Sequence, residues 1–387
     1  MGTYARQPVA FERGAGVWLW DTRGERYLDA LSGIAVCGLG HAHPELAQAI
    51  ADQAATLVHT SNLYQVPLQA RLAERLAALS GLQQVFFCNS GAEANEAAIK
   101  IARKYGHARG IAVPTVVVAD GSFHGRTLAT LSATGNRKVQ AGFEPLVQGF
   151  TRVPYDDLEA LRRVAEHQRD VVAVLLEPVQ GEGGIRLPSA DYLAGVRALC
   201  DQHGWLLMLD EIQTGMARSG RWFAFQHAGI TPDVMTLAKG LGNGVPIGAC
   251  LAGGKAANVL QAGHHGSTFG GNPLACRAAL VTLDIIERQA LEQRAAQLGS
   301  ALLGALRERL ADCVGVVDVR GLGLLIGIEL DRPCADLVRI ALEKNLLINV
   351  TAERVVRLLP PLVMSDDEAQ LLLDKLCPLI VDFCAEG

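Results

Sequence analysis

Lys239 stands in Leu237-Ala238-Lys239-Gly240-Leu241-Gly242-Asn243-Gly244, directly after the apolar run Val234-Met235-Thr236-Leu237. An amine between a buried strand and a glycine-rich turn can be desolvated and closely approached, as an amine that bonds a carbonyl carbon must be. Upstream, Leu206-Leu207-Met208-Leu209 runs into Asp210-Glu211-Ile212-Gln213, so a carboxylate ends a second apolar strand. The other lysines differ: Lys100 and Lys104 share a helix with Arg103, and Lys138, Lys255, Lys344 and Lys375 lie in polar or amphipathic settings. By itself the Lys239 motif also fits a snorkelling surface lysine.

A lysine that bonds an aldehyde, together with an aspartate for a pyridinium nitrogen, is the pattern of pyridoxal phosphate chemistry. That cofactor also needs a phosphate cradle and an aromatic plate. Asn89-Ser90-Gly91-Ala92-Glu93-Ala94-Asn95-Glu96 follows the strand Gln84–Cys88 and opens a helix. Free amides and the dipole at such a start favour a phosphate, and Gly91 and Ala92 let it come close. Taken alone, an ordinary cap at Ser90 or Asn89 is the simpler reading. Gly121-Ser122-Phe123-His124-Gly125-Arg126-Thr127 follows the strand Thr115–Ala119 and offers an aromatic ring at a strand's carboxyl end, where open α/β sheets bind ligands.

Four ordered motifs carry a resemblance: Ser90–Glu96, Phe123–Thr127, Asp210–Gln213 and Ser267-Thr268-Phe269-Gly270-Gly271-Asn272-Pro273. With them the chain resembles the class III (ω-amino acid) aminotransferases, fold-type I pyridoxal phosphate enzymes, and within these the acetylornithine branch. The match runs from Gly16-Val17-Trp18-Leu19-Trp20-Asp21 to Arg357-Leu358-Leu359-Pro360-Pro361-Leu362. The resemblance implies that Lys239 bonds the cofactor and then moves the proton between substrate carbon and cofactor. It implies that Asp210 keeps the pyridinium nitrogen protonated and that Gln213 meets the ring's 3-oxygen, with Glu211 and Ile212 completing the cofactor loop. Gly91 and Ala92 become phosphate ligands and Phe123 the stacking ring. Thr268 is similar to a threonine that reaches the phosphate from a neighbouring subunit, which implies a homodimer with a shared site. Plain turn chemistry also accounts for Ser267-Thr268.

Two arginines are expected to select substrates, because guanidinium forks bind carboxylates bidentately. Arg126, with Ser267 nearby, resembles the residue that grips the α-carboxylate of an acylated ornithine. Arg357 resembles the one that binds glutamate and 2-oxoglutarate. Glu182, in Gln180-Gly181-Glu182-Gly183-Gly184, resembles the glutamate that masks this arginine while an ω-amine enters. A static surface salt bridge is the plainer alternative, whereas the flanking glycines suggest a mobile loop. Ile34 falls where ornithine aminotransferases carry a tyrosine for the free α-amine, so an acylated donor is expected.

The reaction so implied is transfer of the δ-amino group of N2-acetyl-L-ornithine to 2-oxoglutarate, a step of arginine biosynthesis. Succinylornithine, N-succinyl-diaminopimelate and 4-aminobutyrate are rival donors. Glutamate-1-semialdehyde aminomutase shares the fold but needs no Arg357/Glu182 exchange. A regulator that merely binds the cofactor needs an added DNA-binding module, for which no length precedes Trp18.

The elements that must position these residues alternate. A hairpin is expected over Val17–Asp29, then helices over Pro44–Leu57 and Pro67–Leu79. Strands follow at Val85–Cys88, Val116–Ala119, Val171–Leu176, Leu206–Asp210, Val234–Leu237 and Ile247–Leu251, separated by helical stretches. This predicts an α/β fold with a mostly parallel central sheet. From about Ala275 a long helical segment, four short strands near Val314–Leu358 and a final helix from Asp366 describe a smaller α+β unit. The divisions expected are 1–55, packing with the small unit, 56–274 for cofactor binding, and 275–387. A length of 387 residues supports more than one core. Net charge −5 with no basic block points away from nucleic acid. No apolar run nears the ~20 residues of a membrane span, and no leader is apparent. The nine scattered cysteines form no CxxC pair and point to a reducing cytoplasm. His41-Ala42-His43 lacks further ligands, so no metal is expected.

Overall fold

The computed structural model describes residues 1–386. Strands β1 (Phe11–Ala15), β2 (Trp18–Asp21) and β3 (Arg26–Asp29) form an antiparallel meander. The hairpin expected at Val17–Asp29 is thus present, with one more strand ahead of it. The helices Pro44–Thr56 and Pro67–Ser80 start on proline, whose missing N–H costs nothing in a first turn.

The central sheet contains β4 (Gln84–Cys88), β5 (Thr115–Ala119), β6 (Phe150–Val153), β7 (Val171–Leu176), β8 (Leu206–Asp210), β9 (Val234–Leu237) and β10 (Gly248–Ala252). Their spatial order is β4-β10-β9-β8-β7-β5-β6. Strand β10 runs antiparallel to both neighbours, while the pairs from β9 to β6 are parallel. Strands β5, β7, β8 and β9 are buried along their whole length, so their near-continuous apolar sequences suit a sheet covered on both faces. Strand β6 was not expected; Phe150-Thr151-Arg152-Val153 lies at the sheet edge, where polar residues are tolerated and the apolar signal fades.

The long helical segment after Asn272 is two helices, Pro273–Arg288 and Leu291–Arg309, broken at Ala290, whose φ is +52°. A second antiparallel sheet follows from β11 (Val316–Leu322), β12 (Leu325–Leu330), β14 (Asn349–Thr351) and β15 (Val355–Leu358), in the order β11-β12-β15-β14. Just before β14, the two-residue β13 (Leu346–Leu347) pairs in parallel with β3 instead. The chain's beginning is therefore stitched to its last third, and Trp18 Nε1 donates to Glu368 of the final helix at 3.1 Å. The cysteines are all free. Among the described residues no helix is long and apolar enough to cross a membrane.

Candidate active site

Five strands running in one direction bring their carboxyl ends to a single cavity of about 410 Å³. Asn89 to Ala92 follow β4, Phe123 follows β5, Glu177 follows β7, Asp210 ends β8, and Lys239 lies just beyond β9. Because β10 is antiparallel, its start lies at the same edge, and Val245, Pro246 and Ile247 close the wall there. The strand-end logic of open α/β sheets thus collects residues that are 150 positions apart in the chain.

Asp210 is buried and heavily bonded. Asn95 Nδ2 donates to Oδ2 at 2.7 Å, His124 Nδ1 lies 2.9 Å from the same oxygen, and the Ile212 amide donates to Oδ1 at 3.1 Å. Asn95 is itself oriented, donating to the His124 carbonyl at 2.8 Å and accepting from Thr236 Oγ1 at 2.8 Å. Each of these is a fixed dipole aimed at one carboxylate, so its direction is set before any ligand binds. His124 Nε2 is buried without a partner. Asn95 and His124 lay inside the motifs singled out in the sequence, yet nothing local tied them to Asp210.

Lys239 has a φ of +43°, a left-handed conformation that costs a non-glycine residue roughly 1–2 kcal/mol. It lines the cavity, and burial pushes its ammonium below the ordinary lysine range. Glu177 was not singled out in the sequence, although a carboxylate directly after β7 carries the same signal as Asp210. It accepts the Phe123 amide at 2.9 Å and the Gly181 amide at 3.0 Å. Burial, helped by the neighbouring Asp210 charge, pushes its carboxyl up to about 7.

Ser90 caps the helix Gly91–Ala108, accepting from the Glu93 amide at 3.2 Å. The cap and the cradle readings are compatible, because the first amides of the helix still lack intrahelical acceptors. Ile212 packs on Gly91, where a β-carbon would lie 2.7 Å from its Cδ1. A helix start, an aromatic ring, a fixed carboxylate and a desolvated amine around one cavity fit a phosphorylated pyridine aldehyde.

Arg357 is completely buried and stands behind Glu182 rather than on the wall. Its Nη1 donates to Glu182 Oε1 at 2.7 Å and to Gln213 Oε1 at 3.3 Å, its Nε donates to Asn349 Oδ1 at 3.0 Å, and Nη2 has no partner. Arg126 is exposed, on the cavity rim, with its guanidinium 5.8 Å from the Phe123 ring centre.

Four expectations change. Glu211 does not reach the cavity: consecutive residues of an extended chain face opposite ways. It accepts instead from the Ala224 and Phe225 amides at 3.0 and 2.8 Å and from Thr214, with burial raising its carboxyl to about 7. Ser267 lies outside the wall, although its Oγ accepts from Asn89 at 3.2 Å; Thr268, expected to serve the neighbouring subunit's site, is likewise off the wall of its own. Ile34 is exposed and off the wall, which Val36 lines in its place. The Glu182 loop is not loose. Thr351 donates to the Glu182 carbonyl, and Gly184, at φ +103°, lets the backbone press onto Ala352 and Val355. Its glycines serve close approach as well as freedom.

The class III aminotransferase family model matches residues 2–380. Acetylornithine aminotransferase of Nitrosomonas europaea is 62% identical over 383 residues, covering 99% of this chain and 98% of that protein. The acetylornithine aminotransferase of Methanothermobacter thermautotrophicus is 47% identical, covering 99% and 96%. Among solved structures, ornithine aminotransferase from Toxoplasma gondii superposes with TM-score 0.96 at 35% identity, covering 100% of this chain and 93% of that one. N-acetylornithine aminotransferase from Stenotrophomonas maltophilia gives 0.87 at 37% identity, covering 99% and 98%.

Proposed function

This chain belongs to the class III aminotransferases, and on that premise we propose that it transfers the δ-amino group of N2-acetyl-L-ornithine to 2-oxoglutarate. The products are N-acetyl-L-glutamate 5-semialdehyde and L-glutamate. Pyridoxal 5′-phosphate, the cofactor of this family, supplies an aldehyde carbon to carry the amino group and a ring that withdraws electrons from the reacting carbon. Lys239 would hold the cofactor through Nζ, and the same nitrogen is the group placed to take and return the substrate proton. Asp210, held by Asn95 and His124, supplies the negative charge for the ring nitrogen. Phe123 would cover the ring, Gln213 would meet its 3-oxygen, and the Gly91 and Ala92 amides would receive the phosphate.

The observation that carries the substrate reading is the half-satisfied Arg357. A buried guanidinium with one arm on a removable glutamate and the other unpaired suits two successive substrates, one with a carboxylate at that end and one without. Arg126 takes the α-carboxylate of the acylated donor. The site is completed in a homodimer in which the partner subunit's Thr268 reaches the phosphate. In support, Thr268 is exposed, with the apolar Phe269 next to it and Leu63 and Tyr64 exposed beside Asn62, which bonds the Ser267 carbonyl at 3.0 Å. The working units are 1–55 with 275–387, and 56–274; the pairing of β3 with β13 supports the first grouping. The place of action is the cytoplasm.

Steady-state kinetics on a panel of donors tests the reading. N2-acetylornithine is expected to exceed ornithine in kcat/KM by at least ~100-fold, about 3 kcal/mol, because an amide is cheaper to desolvate than an ammonium. Equal use of ornithine, or a preference for 4-aminobutyrate, overturns the donor assignment. A preference for succinylornithine or N-succinyl-diaminopimelate overturns the acetyl group alone.

A further inference from the structure

Arg320 and Arg357 lie in one cross-strand row. In the second sheet Arg320 of β11 is opposite Gly327 of β12, which is opposite Arg357 of β15, which is opposite Asn349 of β14. Directly opposed residues point to the same face, so the two guanidiniums rise from one surface, two strand spacings or roughly 10 Å apart. Between them Gly327 has no side chain, and the buried Ile185 of the Glu182 loop occupies the space; a β-carbon on Gly327 would lie 3.0 Å from that of Ile185.

The two arginines hold the same loop by different atoms. Arg357 takes the Glu182 carboxylate, whereas Arg320 takes backbone: Nε donates to the Ile185 carbonyl at 2.9 Å and Nη2 to the Gly184 carbonyl at 2.6 Å. Its remaining arm is fixed by Glu329 at 2.7 Å and Asp318 at 2.9 Å, so the fork cannot swing. We propose that Arg320 is a positioning residue for substrate exchange: it locks the Glu182 loop onto the sheet that carries Arg357, so that the mask closes at one fixed distance. This role rests on the reading of Glu182 and Arg357 as a removable pair.

The physical consequence is specific. A loop released from Arg320 samples positions in which Glu182 no longer reaches Arg357, and a shift of about 1 Å at a positioning contact is worth up to two decades in rate. Arg357 is then open to carboxylates at the wrong time. Binding of glutamate gains, and the acylated ornithine loses because its carboxylate is drawn to the wrong end. General loosening of the fold would instead weaken both half-reactions together.

The test uses the holoenzyme and single-turnover measurement of both half-reactions, expressed as the ratio of the specificity constants for L-glutamate and N2-acetylornithine. Arg320→Met is expected to raise that ratio roughly tenfold. Arg320→Lys, which keeps the charge but not the fork, is expected to restore only part of it. Thr351→Val, which removes the neighbouring hydroxyl from the Glu182 carbonyl, should shift the ratio the same way and serves if Arg320→Met does not fold. In a Glu182→Ala background, Arg320→Met should change the ratio by less than about twofold, since it acts through Glu182. If Glu182→Ala shifts the ratio but neither Arg320→Met nor Thr351→Val does, the Arg320 role is overturned and the mask stands. If Glu182→Ala itself leaves the ratio unchanged, the mask fails and this role fails with it.

Discussion

The two ends of the cavity are built on opposite plans. At the Asp210 end, the carboxylate, Asn95, His124 and Thr236 come from the central sheet, the helix packed on it and the loops at its edge, and they bond mainly to one another. Around Arg357, the groups come from separate parts of the chain: Glu182 from the loop after β7, and Arg357 and Asn349 from the second sheet, while Arg126, the other substrate-selecting arginine, stands apart on an exposed rim beside Phe123. The first plan holds charges still, as electrostatic stabilisation requires. The second leaves partners exchangeable, as a site with two successive substrates requires. Damage should therefore be symmetrical between the half-reactions at one end and lopsided at the other.

The largest effect is expected from Lys239→Ala, which should lower both half-reactions by ~10⁴-fold or more, the upper end of the ~10²–10⁴ that a placed acid–base group contributes, because the same residue also holds the cofactor. Stopped-flow absorbance reads this, and borohydride reduction of the wild type followed by peptide mapping should label Lys239. A label on another lysine, or a loss confined to one substrate, breaks the comparison at its strongest point. Asp210→Asn comes next. An amide keeps the shape but not the charge, so both half-reactions should fall by about two to three decades, or ~2–4 kcal/mol. Near-native rates in a folded variant would remove the electrostatic role.

At the other end, Arg357→Ala should cost the glutamate half-reaction about 1.5–3 kcal/mol, the range of a hydrogen bond to a charged group, while sparing the acetylornithine one. Arg126→Ala should show the reverse bias and a smaller loss, because an exposed guanidinium gives weaker, more screened contacts. Equal losses in both half-reactions would erase the distinction between the ends. Ile34→Tyr should have the smallest effect, about twofold or less on acetylornithine, since the residue is exposed and off the wall. A tenfold gain for ornithine would show that this position reaches the substrate and would extend the selective end to the turn containing Ile34.

Much of the Asp210 end was legible because strand-end position is a local property. An apolar run that stops at Asp210 or Lys239 marks that residue without knowledge of its neighbours, and Phe123 follows within four residues of such a run's end. Glu177 carried the same mark and was passed over, lying outside the recognised motifs. Glu211 misled for a local reason too: adjacency to Asp210 suggested a shared role, whereas chain alternation turned it the other way.

The sequence by itself determined the alternation of strands and helices, the residues at the carboxyl edge and the kind of cofactor chemistry, because each is written in periodicity or in motifs a few residues long. It did not determine that β13 would leave its neighbours to pair with β3, nor that Asn95 and His124 would converge on Asp210. Nor did it contain the row Arg320, Gly327, Arg357 and Asn349, or the seating of Ile185 on its glycine. Those depend on register between strands distant in sequence, where a slip of one residue turns every side chain to the opposite face. Only the packed structure sets that register, because only there do the buried faces of both sheets have to be satisfied at once.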